Sequence, residues 1–411
     1  MVNYYNGVKE MKSKLALLFG LMALTVFAGC KSAPQKIKDY TRQLPPGQFA
    51  LRKLTDPAQI PDFTLACFNT KDLKQAVANS LNYLGKPSSQ KFYPSNGITH
   101  SHAVASLQKF AQLLDSGLIG LTLNSAIRDN FDVYISVGCD DIGTVLFTGY
   151  YTPIFDGSTV KTEKYRYPLY KQPADLVKAD DGRILGQRLA NGQVNPQYPS
   201  RETIERTNML KGQEIVWLAD QFEAYIATIQ GSAQIRLPDG SLMGIGYAAN
   251  NGWEYHPIAE AMISDGAITR AQLSLASMIQ YFKQHPDKVS QYTNMNPRYV
   301  FFGMENGPPR GSLNEPVLPL RSIATDKSIF PRAALTFIST RLPTDKGGII
   351  TQEIFNGFAL DQDTGGAIRA PGRCDVYIGI GDTAGRLAGQ TYQEGKLYYL
   401  FLKDYTAPPA Q

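Results

Sequence analysis

Past the break Gly307-Pro308-Pro309-Arg310-Gly311, the chain carries strand after strand and no helical pattern long enough to cover a sheet. Ala334 to Thr340, Glu353 to Leu360, Val376 to Ile378 and Lys396 to Leu402 gather apolar and β-branched residues between turn signals. A parallel α/β sheet needs helices on both faces, and this region has too few to be α/β. A sheet that closes on itself hides its own edges and its apolar face. A small closed β-barrel is therefore expected here.

The preceding chain divides by texture. Leu73, Val77, Leu81 and Leu84 fall at helical spacing within Asp72 to Leu84, and Leu107, Phe110 and Leu114 repeat it within Ala103 to Leu114. Phe131 to Val137 and Thr144 to Tyr151 read as strands, the second closed by Pro153. Beyond Pro153 come short strands and turns, marked by Asp156-Gly157, Asp181-Gly182, Asn191-Gly192 and Asp239-Gly240. Helices are expected over Ile215 to Ile229, Ile258 to Ile263 and Arg270 to Gln284, and a strand over Arg298 to Phe302. The segments before Asp140 complete or decorate the barrel, which leaves the middle as an inserted domain. A cleft between the two is the expected ligand site.

The N-terminus reads as a targeting segment. Lys9, Lys12 and Lys14 precede the apolar run Leu15 to Phe27, shorter than the roughly 20 residues of a membrane span. Met11 opens a compact basic region of its own. The run ends in Ala28-Gly29-Cys30, small residues before a cysteine, which reads as a lipoprotein signal over residues 1–30 with Cys30 acylated. Lys31 stands where an aspartate would signal inner-membrane retention, so an outer-membrane anchor facing the periplasm is expected. Residues 31–60, rich in Pro, Lys and Gln, read as a tether.

Several function classes drop out. The net charge of +5 over 411 residues is modest, and no dense Lys/Arg run suggests nucleic-acid binding. Cys67, Cys139 and Cys374 form no CxxC pair; one disulfide among them stays open, and Cys374 reads as a packing residue. His100-Ser101-His102 has no third ligand at metal spacing. There is no GxSxG elbow and no phosphate loop. No metal and no cofactor are expected.

The densest chemical cluster is Leu360 to Ile368, with Asp361, Asp363, Gly365 and Gly366, then Gly372-Arg373-Cys374-Asp375-Val376-Tyr377, then Gly379-Ile380-Gly381-Asp382. Gly365-Gly366 permits a sharp bend and a close approach to a ligand. Asp375, between Cys374 and Val376, sits in an apolar strand, where desolvation raises a carboxyl pKa and keeps it protonated. A general acid that donates to a glycosidic oxygen needs that state. Spacing alone equally allows three aspartates that cap barrel turns.

The stretch from Asp363 to Lys396 resembles the three-aspartate domain of the membrane-bound lytic murein transglycosylase A family. Phe147 to Pro153, Gly244 to Ala248 with Asn251-Gly252, and Asn296 to Phe302 match the same family in order. Gln230-Gly231-Ser232, Asp239-Gly240-Ser241 and Pro319 to Asp326 also fit. The resemblance implies a mainly β fold with several helices. A double-psi-like barrel domain of residues 61–151 and 311–411 would carry a smaller β-rich, glycan-binding insert of residues 152–310, with a groove between them. It implies Asp375 as the catalytic aspartate and Asp363 as its supporting acid.

The implied activity cleaves the β-1,4 bond between N-acetylmuramic acid and N-acetylglucosamine in peptidoglycan. Ordinary glycosidases set two carboxyls about 5–9.5 Å apart; a lytic transglycosylase needs one, acting as acid and then base, and leaves a 1,6-anhydromuramyl end. A close Asp363 or Asp382 would keep Asp375 neutral. Thr148, Tyr150, Tyr151, Gln230, Gly231, Ser232, Tyr247, Gly365, Gly366 and Asp382 are expected to contact sugar, with Trp253 and Tyr255 as weaker candidates for stacking. The alternative is a non-catalytic peptidoglycan-binding lipoprotein of the same fold. The partners expected are glycan strands and, through Cys30, the outer membrane; the chain is expected to be a monomer.

Overall fold

The computed structural model describes residues 38–179 and 182–406. The targeting segment with Cys30, and the first residues of the expected tether, lie outside the described residues. Among the described residues no helix is long and apolar enough to cross a membrane.

Among the described residues seventeen strands run in chain order: β1 (Leu51–Lys53), β2 (Phe131–Ser136), β3 (Val145–Thr152), β4 (Ile154–Ser158), β5 (Tyr167–Tyr170), β6 (Leu176–Lys178), β7 (Ile184–Arg188), β8 (Val194–Asn195), β9 (Glu214–Leu218), β10 (Ser232–Arg236), β11 (Leu242–Asn250), β12 (Val300–Glu305), β13 (Ser322–Ala324), β14 (Leu335–Lys346), β15 (Ile349–Asp363), β16 (Arg373–Ile380) and β17 (Tyr392–Leu402). The fold is mainly β, and its centre is a closed barrel. β17, β14, β15, β13, β16 and β3 follow one another round the ring, and β3 pairs back to β17. Closure is possible because β17 is long. Tyr392 to Gly395 pair with β3, and Tyr398 to Leu402 pair with β2.

β1 extends the barrel sheet beyond β2. It lies inside the stretch expected to be a tether, yet Ala50, Leu51 and Leu54 are buried in the main core. The helices Leu73–Leu84 and His100–Asp115 form where the period placed them; Thr99 caps the second by accepting from His102 N–H at 3.2 Å. Their apolar faces pack against barrel residues such as Phe337 and Phe358, and Phe63 meets Phe337 edge-on at 4.8 Å. Each such ring is worth roughly 1.5–3 kcal/mol of burial.

Two sheets and several helices form the insert. The larger sheet runs β12-β11-β10-β4-β9-β5, the smaller β6-β7-β8. The helix expected over Ile215 to Ile229 is in fact β9 followed by the helix Gln221–Gln230. Ile215, Val216 and Trp217 favour strand, and Asp220 starts the helix by accepting from Phe222 and Glu223 N–H at 2.7 and 2.9 Å. The expected helix Arg270 to Gln284 also begins late, at Leu275, because Ser274 and Ser277 form a reciprocal cap. A helix that the β-rich reading did not anticipate, Gly381–Ala388, follows β16.

The insert leaves the barrel where β3 runs through Pro153 into β4, and it returns through Arg310 to Pro319 into β13. Those two strands flank β16 on either side. Cys67, Cys139 and Cys374 are buried, and no disulfide joins them. His100 and His102 are structural: their Nε2 atoms lie 3.0 and 2.8 Å from the carbonyls of Leu84 and Leu402.

Candidate active site

β16 alternates. Cys374 and Val376 are fully buried in the barrel core, while Arg373, Asp375 and Tyr377 share the opposite face. Asp375 lies between Thr148 on β3 and Ala324 on β13. It opens into a groove of ≈ 400 Å³ between barrel and insert. One carboxyl oxygen of Asp375, shielded from solvent, has no hydrogen-bond partner. Burial pushes its pKa from 3.8 up to about 6, against the opposing pull of Thr148 and Arg373; the Asp363 charge adds the smallest upward push. Desolvation, more than a second carboxylate, keeps the proton on.

Asp363 ends β15 on the same groove. Its Oδ1 accepts from the N–H groups of Ser312 and Thr364, both at 2.8 Å. Burial still raises its pKa above the usual carboxylate range, with those donors opposing. The buried Tyr150 hydroxyl makes no closed hydrogen bond, and its pKa is raised by burial and then by the neighbouring Asp363 charge. The Tyr150 ring packs on Tyr377 at 5.2 Å, and the Tyr377 hydroxyl lies 3.0 Å from Thr152 Oγ1.

Across the groove, the insert supplies Gln230, Gly231 and Ser232 from the junction of the helix Gln221–Gln230 with β10, and Tyr247 from β11. Gly231 adopts φ 77°, the left-handed turn that ends that helix, which favours glycine over any side chain. Tyr247 is half exposed, at 51%, with its hydroxyl 2.6 Å from Asn250 Nδ2. Beneath this wall, the buried Arg201 donates to Thr228 Oγ1 and Arg298 O at 2.8 Å and to Asn296 O at 3.2 Å. Its guanidinium lies between the rings of Tyr225 and Tyr299, 4.8 and 4.9 Å away. Arg201 thus ties the helix end to the segment that enters β12, fixing the groove's far wall.

Of the residues expected from sequence, Asp375, Asp363, Tyr150, Gln230, Gly231, Ser232, Tyr247, Gly365 and Gly366 line this one groove, as does Tyr255. Thr148 sits behind it, beside Asp375, with its hydroxyl accepting from Arg373 Nη2 at 3.4 Å. Tyr151 does not reach the groove. It follows Tyr150 on a strand, so it faces the other way and packs on Ala384 and Ala388. Asp382 does not reach it either; it is exposed in the first turn of the helix Gly381–Ala388. Trp253 is held by its own Nε1–H, which donates to Tyr198 O at 2.7 Å. Sequence reading missed Arg298, Glu305, Arg310, Ser312 and Arg369 on the walls. The run Pro308-Pro309-Arg310-Gly311 read only as a break, and nothing in its pattern says it folds over Asp363. Among the described residues no His/Cys/Asp/Glu cluster suits a metal ion.

The raised pKa of Asp375 has a consequence for stability. The unfolded chain releases this proton near pH 4 and the native state near pH 6, so folding stability falls between those values and stays lower above them. Asp375→Asn removes that loss. Allowing for its partial exposure, the variant should be more stable than the parent by about 1–3 kcal/mol at pH 8. The difference should shrink to about 0.5 kcal/mol at pH 4 and vanish below about pH 3. Urea unfolding at both pH values reads it; a variant no more stable at pH 8 contradicts the assigned desolvation.

Comparison with known proteins agrees with this geometry. Residues 146–303 match the family described as "MltA specific insert domain", and residues 321–401 match the family described as "3D domain". The membrane-bound lytic murein transglycosylase A homolog of Buchnera aphidicola subsp. Schizaphis graminum is 30% identical over 271 residues, 65% of this chain and 69% of that one. Membrane-bound lytic murein transglycosylase A of Escherichia coli (strain K12) is 27% identical over 400 residues, 96% of each chain. Among solved structures, the membrane-bound lytic murein transglycosylase from Agrobacterium tumefaciens superposes with a TM-score of 0.71 at 24% identity, covering 86% of this chain and 98% of that one. Escherichia coli MltA with bound chitohexaose gives a TM-score of 0.64, also at 24% identity, over 92% and 98%. These two show a shared fold.

Proposed function

This chain belongs to the membrane-bound lytic murein transglycosylase A family, and on that footing we propose that it cleaves peptidoglycan glycan strands with Asp375 as sole acid and base. The observation that carries the reading is the unpartnered, desolvated carboxyl oxygen of Asp375 on the floor of a groove open to a polymer. Protonated Asp375 donates to the oxygen joining N-acetylmuramic acid to N-acetylglucosamine. That bond breaks, and the N-acetylglucosamine leaves with a hydroxyl. The muramyl C6 hydroxyl then gives its proton to the Asp375 carboxylate as its oxygen bonds to C1. The product is a 1,6-anhydromuramyl end, and the acid is regenerated without consuming water.

The surroundings support these roles. Asp363, held by the Ser312 and Thr364 N–H groups, sets a second carboxyl on the same groove as the supporting acid. Arg373, two residues before Asp375 on the same face, favours the carboxylate formed after donation. Gln230, Ser232 and Tyr247 offer amide and hydroxyl groups to sugar on the far wall. In this reading the described residues 50–151 and 311–406 form the catalytic barrel domain, starting earlier than the expected residue 61 because β1 joins the sheet, and the insert between them is the glycan-binding domain. A monomer anchored through lipidated Cys30 in the outer membrane, facing the periplasm, completes the proposal.

Product analysis tests the reaction. Digestion of purified peptidoglycan in ¹⁸O-labelled water should release anhydromuropeptides that carry no label, read by mass spectrometry. Reducing ends with one ¹⁸O each would assign a hydrolase instead, and no release at all would assign a binding protein.

A further inference from the structure

The far wall of the groove holds a cation that makes no ion pair among the described residues. Arg298 precedes β12; its Nη1 donates to Trp253 O at 3.0 Å, and its N–H contacts Asn296 Oδ1 at 3.3 Å. Its charged neighbours are Arg369, which repels it, and the exposed Glu254; it forms no ion pair among the described residues. Arg369 lines the same groove, 47% exposed, and only approaches Asp326 Oδ1 at 3.9 Å. Two other groove acids are engaged elsewhere, Asp363 by two N–H donors and Glu305 by Arg310, and Asp375 is not among the charges acting on Arg298. Gly366 faces the Arg298 guanidinium, where an added Cβ would stand 3.4 Å from Nε. The glycine leaves that edge of the guanidinium open to the groove.

A half-buried guanidinium beside a second cation is costly unless a ligand brings negative charge. A carboxylate suits its planar fork better than any neutral sugar hydroxyl. We propose that Arg298, supported by Arg369, forms a subsite for a carboxylate of the muramyl residue, which makes the groove selective for acidic glycan over neutral chitin-type strands. The carboxylate comes either from the free lactyl ether of peptide-free strands or from a stem peptide. This selectivity rests on the reading of the groove as a glycan channel.

Calorimetric titration of the full chain carrying Asp375→Asn, which binds without cutting, tests it with three probes. They are chitohexaose, a peptide-free oligomer of alternating N-acetylglucosamine and N-acetylmuramic acid, and the same oligomer bearing stem peptides. Adding Arg298→Gln should reduce the preference for an acidic probe over chitohexaose by about tenfold, and Arg298→Lys should retain part of it. Loss confined to the peptide-free oligomer assigns the lactyl carboxylate; loss confined to the peptide-bearing one assigns the stem. Equal loss for all three probes, or none, overturns the subsite while leaving the glycan groove intact. Should Arg298→Gln fail to fold, Arg369→Gln removes the supporting cation at a half-exposed position and must weaken the same preference; full retention of selectivity there also overturns the proposal. Failure of the Asp375→Asn protein to bind any probe would instead sink the glycan reading on which the subsite depends.

Discussion

Asp375→Asn should reduce anhydromuropeptide release by at least about 10³-fold while murein binding persists. A positioned acid or base contributes roughly 10²–10⁴-fold, and in the proposed mechanism one carboxyl serves both steps, so an amide that can neither give nor take the proton loses both. The amide is nearly the same shape, and below about pH 6 the site already holds a neutral carboxyl, so the groove should keep its form. The parent enzyme should lose kcat/KM as pH rises through about 6, because only the protonated acid can donate. A variant that still releases anhydro products at a tenth of the parental rate would move the catalytic role to another group.

Lys327→Met should destabilise the fold by about 3–5 kcal/mol, the usual cost of stranding one member of a buried ion pair. Lys327 bonds to Asp361, whose side chain is completely buried beneath the site; Thr325 Oγ1 and Tyr399 OH also donate to Asp361, at 2.7 and 2.8 Å. Removing the ammonium leaves a carboxylate with two neutral donors in the barrel core. The double variant Lys327→Met with Asp361→Leu should recover much of the loss, since burying neither charge is often tolerated. Urea midpoints at constant m-value measure both. A single-variant cost below 1 kcal/mol would mean that water or a rearranged neighbour neutralises Asp361.

The barrel was legible because its signal is local. Val376, Leu400 and Phe358 each sit on runs whose alternation and β-branching allow little else, and every strand expected past Arg310 overlaps a real one, Ala334 alone falling one residue before β14. The helix–strand division at Asp220 was not, because Ile215, Trp217, Phe222 and Tyr225 satisfy helical spacing while the first two also suit a strand. Sheet pairing with β4 and β5 decided it.

The same contrast holds at the site. Asp363, Asp375 and Asp382 are close in sequence, but only a strand end and a strand face bring the first two together; a helix turns the third away. The two-residue period of β3 separates Tyr150 from Tyr151, so the sequence already allowed only one of them to face the groove. Arg298 and Ser312 reach it through tertiary folding alone, and no periodicity announces them.

The two chain crossings between barrel and insert border the strand that bears Asp375 on both sides. Any rocking of the insert to admit or release a polymer is therefore transmitted as tension on β3 and β13, and through their ladders to β16. In the proposed reaction, gripping the strand and aiming the proton would then be one mechanical event, with the grip felt at the acid through its two immediate neighbours.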